Sequence, residues 1–162
     1  ILLIIMASPG MALTTSAEAV AKVTVASVFE LSLDRNDIDF HSMTPGEVKY
    51  DIPQTGIRVT TKTNTGNKWY LKINTVSEFR YLDRIIDNKH FYWYGWTEGK
   101  GTWLGSGEDS FTNDPVLAYE SGPGEEYSYP NGIHNVFKFK LDVPESQPAG
   151  FYETIVQITI TE

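Results

Sequence analysis

Side-chain alternation with a period of two runs through most of this 162-residue chain and constrains its fold more than any other feature. Between Lys22 and Leu33 the apolar set is Val23, Val25, Phe29, Leu31 and Leu33, with Lys22, Thr24, Glu30 and Ser32 interleaved. Val48, Tyr50 and Ile52 repeat the pattern, as do Ile57, Val59 and Thr61, and then Trp69, Leu71 and Ile73. Near the far end come Phe137, Phe139, Leu141 and Val143, followed by Tyr152, Thr154, Val156, Ile158 and Ile160. Successive side chains of a strand point to opposite faces, so each segment carries one apolar face that a second layer must cover. Turn-forming clusters separate the segments, among them Asp34–Asp37, Pro45-Gly46, Asn64–Asn67 and Pro148–Gly150. The pattern predicts an all-β chain of antiparallel sheets, with Phe29, Leu31, Leu33, Trp69, Leu71, Ile73, Phe137, Phe139, Leu141, Val156, Ile158 and Ile160 in one inter-sheet core. One short helix is expected over Ser77–Asp87, where Phe79, Leu82 and Ile86 fall at i, i+3 and i+7 and Ser77 is placed to cap.

The first residues carry a different signal. Ile1–Ala7 is uninterruptedly apolar, Ser8-Pro9-Gly10 breaks it, and Ala17-Glu18-Ala19 follows as a small-x-small triplet. An apolar stretch ending in such a triplet reads as a secretory signal peptide over residues 1–19, truncated at its start, with the working domain over 20–162. A membrane anchor would need about 20 apolar residues, more than this run provides. The expected location is therefore secreted or at the cell surface. Behind the expected cleavage point, Val20 to Ser27 is an alternating strand of small residues at a chain terminus. Val20, Val23 and Val25 are its candidate donor residues for completing the sheet of a neighbouring copy. The alternative is that this strand pairs within its own sandwich.

Residues 79–129 hold 12 of the 21 aromatic residues, interleaved with seven glycines. Because alternating segments lie on both sides, residues 76–132 read as an elaborated aromatic and Gly-rich insertion within one domain. Trp93, Trp96 and Trp103 are its candidate ligand platform, since flat rings stack on the apolar face of a sugar while nearby polar groups take the hydroxyls. The same rings could instead fill a core or anchor a subunit contact.

Composition and motifs exclude more chemistry than they suggest. A net charge of −8 repels phosphate backbones and argues against nucleic acid as a partner. With no Cys there is no disulfide, thiol nucleophile or Cys-ligated zinc. Leu104-Gly105-Ser106-Gly107-Glu108 fails the nucleophile-elbow spacing, and Gly99-Lys100-Gly101-Thr102 fails that of a phosphate loop. His41, His90 and His134 lie too far apart in sequence for a zinc pair. Asp34, Asp37 and Asp39 form an acidic turn and are the metal candidates, with calcium as the ion such oxygens would take. A solvated turn is the alternative.

Several features together resemble secreted immunoglobulin-like surface domains: Phe40 after the acidic turn, Pro45-Gly46-Glu47, the segment Ile57–Thr63, and Trp69-Tyr70-Leu71 after a Gly turn. Trp69-Tyr70-Leu71 resembles the first motif of WxL surface domains. Gly150-Phe151-Tyr152 through Ile158-Thr159-Ile160 is similar to the final strand of those domains and of surface-filament subunits. The second Trp-x-Leu of WxL domains is replaced here by Gln157-Ile158-Thr159. The resemblance implies an immunoglobulin-like β-sandwich and a non-catalytic structural or adhesive role at the cell surface, with self-association into an oligomer or filament. A polysaccharide or cell-wall glycan is the other partner it suggests, with a carbohydrate-binding module as the alternative function.

Overall fold

β-Branched and aromatic residues on one face of each short segment leave the chain no economical solution but stacked sheets. The structure, a computed structural model, describes residues 18–162. The expected signal sequence therefore lies outside the described residues except for Glu18 and Ala19. The strands are β1 (Phe29–Leu33), β2 (Val48–Tyr50), β3 (Ile57–Thr63), β4 (Tyr70–Thr75), β5 (Phe79–Tyr81) and β6 (Arg84–Ile86). They continue as β7 (Phe91–Thr97), β8 (Thr102–Trp103), β9 (Asp109–Ser110), β10 (Val116–Glu120), β11 (Ile133–Asp142) and β12 (Val156–Thr161). All pairings are antiparallel. One sheet runs β1-β3-β11-β7-β9, with β2 also on β11, and the other runs β12-β4-β10-β8. The all-β sandwich architecture expected from the alternation is what the chain adopts.

The core lies between these sheets. Val59, Leu71, Ile73, Phe91, Trp93, Tyr119, Phe137 and Phe139 are essentially inaccessible, with Trp69 beside them just before β4. Burial of each large side chain is worth about 1.5–3 kcal/mol. Phe91 stacks on Phe111 with ring centroids 4.3 Å apart and meets Phe79 edge-on at 5.0 Å. β11 is the spine: its first half pairs with β3, its last three residues with β2, and its other edge with β7. Where β2 gives way to β3, the buried Asp51 carboxylate accepts the Phe139 N–H at 3.3 Å and pairs with the Arg35 guanidinium.

Three expectations are corrected. Residues 77–87 form the β5–β6 hairpin, not a helix: Phe79 pairs with Ile86 on the buried side, and Leu82, placed by the helical reading on the same stripe, is exposed at the hairpin tip. The strand read from Lys22 begins only at Phe29, because Phe29 faces Thr63, the last residue of β3, and the described residues before it have no ladder partner. Phe29 and Leu33 do share the inner face with Thr63 and Val59, yet both are exposed, since β1 is an edge strand that the opposite sheet does not cover. Residues 76–132 supply β7 and β9 to one sheet and β8 and β10 to the other.

Candidate functional site

Two features stand out among the described residues: a terminal segment without a strand partner and a cleft between two edge strands. Residues 18–27 are all exposed, and Val20, Val23 and Val25 show 84%, 88% and 76% of their surfaces to solvent. The segment is tethered only where it joins the sheet. Asn64 Oδ1 accepts the Val28 N–H at 2.7 Å, the Asn64 N–H donates to Val28 O at 3.2 Å, and Asn64 Nδ2 donates to Ala26 O at 3.0 Å. The cleft, of about 290 Å³, opens between the edge strands β1 and β12 and is lined by Leu33, Ile57, Phe79, Phe91, Val156 and Ile158 among others. Val156, Ile158 and Ile160 face the buried Thr75, Ile73 and Leu71 of β4, so they belong to the inner face, but they are only half-buried. Both edge strands thus hold apolar inner faces at the cleft, and each has one edge without a strand partner among the described residues.

The tryptophan platform does not assemble. Trp93 points inward and is 1% exposed, Trp96 points outward and is 43% exposed, and Trp103 packs edge-on against Trp93 from the inner side with centroids 6.0 Å apart. Alternation dictates this: residues 93 and 96 differ by an odd number and cannot share a strand face. Gly95, on the inner face, makes room for Trp103, since a Cβ there would lie 3.1 Å from the Trp103 ring and 1.9 Å from Val136 O. The outward aromatic row is instead the exposed Trp96 with the half-buried Tyr94 and Tyr92, and Tyr50 of β2 lies beside Tyr94 at 6.1 Å. Lys138 lies 5.3 Å from the Trp96 ring and Lys140 4.4 Å from that of Tyr92. Lys140 also pairs with Glu108, which accepts the Tyr50 hydroxyl at 3.1 Å. Burial, with Tyr50 and Asp51 nearby, raises the Tyr94 hydroxyl pKa above its ordinary value. The even-numbered Tyr92 and Tyr94 share the Trp96 face of β7, as alternation along this strand requires.

The acidic turn is also dispersed. Asp34 Oδ1 accepts the Arg58 N–H at 2.8 Å, Asp37 lies by Arg35, and Asp39 accepts the His41 N–H at 2.7 Å and meets His41 Nδ1 at 2.8 Å. Those contacts, the backbone bond foremost, hold the Asp39 pKa below the usual carboxylate range. Among the described residues no three His, Asp or Glu side chains are grouped to hold a metal, and the three histidines do not converge. The one deeply buried carboxylate outside the Arg35–Asp51 pair is Glu125. It accepts the Lys100 N–H at 2.5 Å, the Tyr119 hydroxyl at 2.6 Å and the Gly122 N–H at 2.7 Å. This pins the Gly-rich loops together as a structural staple and leaves no carboxylate oxygen facing a cleft. Burial first, and the bond to Glu125 second, push the Tyr119 pKa up to about 12.

No protein-family model matches the chain, and no curated protein matches it either.

Proposed function

We propose that this chain is a non-catalytic structural protein of the cell surface that self-associates into filaments through its N-terminal strand. The observation that carries the reading is the exposure of Val20, Val23 and Val25 on a segment whose alternation suits a strand but which has no strand partner among the described residues. Three exposed valines in eight residues are an apolar cost in water that a partner would remove, at about 25 cal/mol per Å² of apolar surface covered. The apolar run Ile1–Ala7 and the Ala17-Glu18-Ala19 triplet, read as a secretion signal over residues 1–19, support a location outside the cell. Negative-stain imaging of the full chain beside a variant lacking residues 18–25 tests this: fibres from the first and particles from the second are expected. Fibres from both would end it.

A second reading, glycan binding, is favoured by the outward row of Trp96, Tyr94, Tyr92 and Tyr50, in which Trp96 and Tyr50 are exposed and Tyr92 and Tyr94 half-buried. On it, Trp96→Ala weakens retention on an insoluble polysaccharide by about tenfold or more, equivalent to ~1.4 kcal/mol, while a change at the inward Trp93 acts only through folding. Unchanged retention by Trp96→Ala would remove this reading.

A further inference from the structure

We infer that the cleft between β1 and β12 is the acceptor for residues 20–25 of a second copy, which enter as an added strand on the free edge of β12. The inference rests on the self-association reading above and names the partner surface. Four observations meet there. The cleft is mainly apolar, with the buried Ile57, Phe79 and Phe91 and the half-exposed Leu33, Val156 and Ile158 on its lining beside the polar Asn36 and Thr154. Its two walls are the longest unpaired strand edges of the sandwich, five residues in β1 and six in β12, whereas the opposite margin ends in the two-residue strands β8 and β9. Long uncovered edges with an apolar inner face are what a strand-adding partner uses: the ladder supplies affinity and alternate pockets supply register.

The occupant matches in length and pattern. Six extended residues span about 20 Å, the length of β12. With a period of two, Ala21, Val23 and Val25 fall on one face and Val20, Lys22 and Thr24 on the other, so the wholly apolar face enters the cleft and the face that carries Lys22 and Thr24 meets water.

The donor must come from another copy. Asn64 follows Thr63, the partner of Phe29, and holds the backbone at Ala26 and Val28, so the segment continues past the end of β3. Filling its own cleft would require a reversal within residues 26–28 that breaks these three bonds. A contact in which the donor end of one copy fills the acceptor of the next is head-to-tail, and repetition yields a fibre.

The absence of Cys permits a clean test. Acceptor copies carry Ile158→Cys and lack residues 18–25, so they cannot donate. Donor copies carry Ala21→Cys, Val23→Cys or Val25→Cys, three positions that step the inward face through the register. Thr24→Cys is the outward control. Mixed under mild oxidation, at least one inward donor should give a covalent dimer with the acceptor, and Thr24→Cys should give several-fold less. If wild-type copies associate through residues 18–25 but no inward thiol links to Ile158→Cys, or Thr24→Cys links as well, the cleft assignment is overturned and self-association stands. If the full chain shows no association at all, both readings fall. A full chain carrying Val23→Cys and Ile158→Cys together that closes within one molecule at high dilution would also overturn the inference, because the donor would then be its own.

Discussion

The two margins of the sandwich use the same alternating code and end in opposite conditions. At the β8/β9 margin the edge strands are two residues long, Trp103 fits over Gly95 against Trp93 and Phe137, and the Gly-rich loops are stapled by Glu125. At the β1/β12 margin the edges are five and six residues long, and Phe29, Leu33 and Ile155 are exposed around a cleft. Short, covered edges are a usual protection against unwanted pairing. The two margins differ in cover: the described residues close one of them and leave the other open.

The largest expected effect separates the margins by stability. Trp93→Ala should cost about 3–5 kcal/mol, the range for emptying a buried indole, whereas Leu33→Ala should cost under about 1 kcal/mol because half its surface already meets water. Denaturant titration of both variants checks this, and a comparable loss from Leu33→Ala would show that the open margin is packed after all. Next comes Glu125→Ala, which leaves the buried Tyr119 hydroxyl and two part-buried backbone N–H groups without their acceptor. A loss of about 3 kcal/mol is expected, seen as a melting point lower by roughly 6–12 °C.

The pH dependence of stability tests the same margin more finely. The Tyr119 pKa is raised to about 12, so its folded-state preference for the neutral form is fully present below pH 10 and is lost as pH rises from 10 to 12. The loss amounts to at most about 3 kcal/mol. Tyr119→Phe should flatten the decline in that window, and an unaltered slope would assign the alkaline loss to other groups. The smallest effect belongs to Leu82, whose φ of 57° lies in the left-handed region at the tip of the hairpin beside the open margin. Leu82→Gly should raise stability by about 0.5–1 kcal/mol without altering assembly.

Alternation made the sheets and most of the core legible: Trp69, Leu71, Ile73, Phe137, Phe139 and Leu141 are buried as their spacing requires. It could not say which strand is an edge. Phe29, Leu31 and Leu33 point inward like the others, but whether an inward side chain is covered depends on the width of the opposite sheet, a property of the whole topology. The hairpin at 79–86 was hidden for a similar reason, since three-residue strands are too short for a period of two to outweigh a chance i, i+3, i+7 match. The indole platform failed on parity alone, as residues 93 and 96 lie on opposite faces. The outward row beside it was readable from residues 92, 94 and 96 in the same strand. The terminal segment was visible as a pattern, but its having no partner in the sheet, and the cleft that suits it, required the three-dimensional arrangement of β1, β3 and β12.

Amide hydrogen exchange, compared between dilute full chain and its assembled fraction, tests the central claim most directly. In dilute chain the amides of residues 20–25 should exchange at unprotected rates, as should those on the free edge of β12. In the assembled fraction both sets should become protected together, and deletion of residues 18–25 should abolish the change at β12 while leaving the protection of β4, β7 and β11 intact. Assembled material in which residues 20–25 still exchange freely would contradict the account.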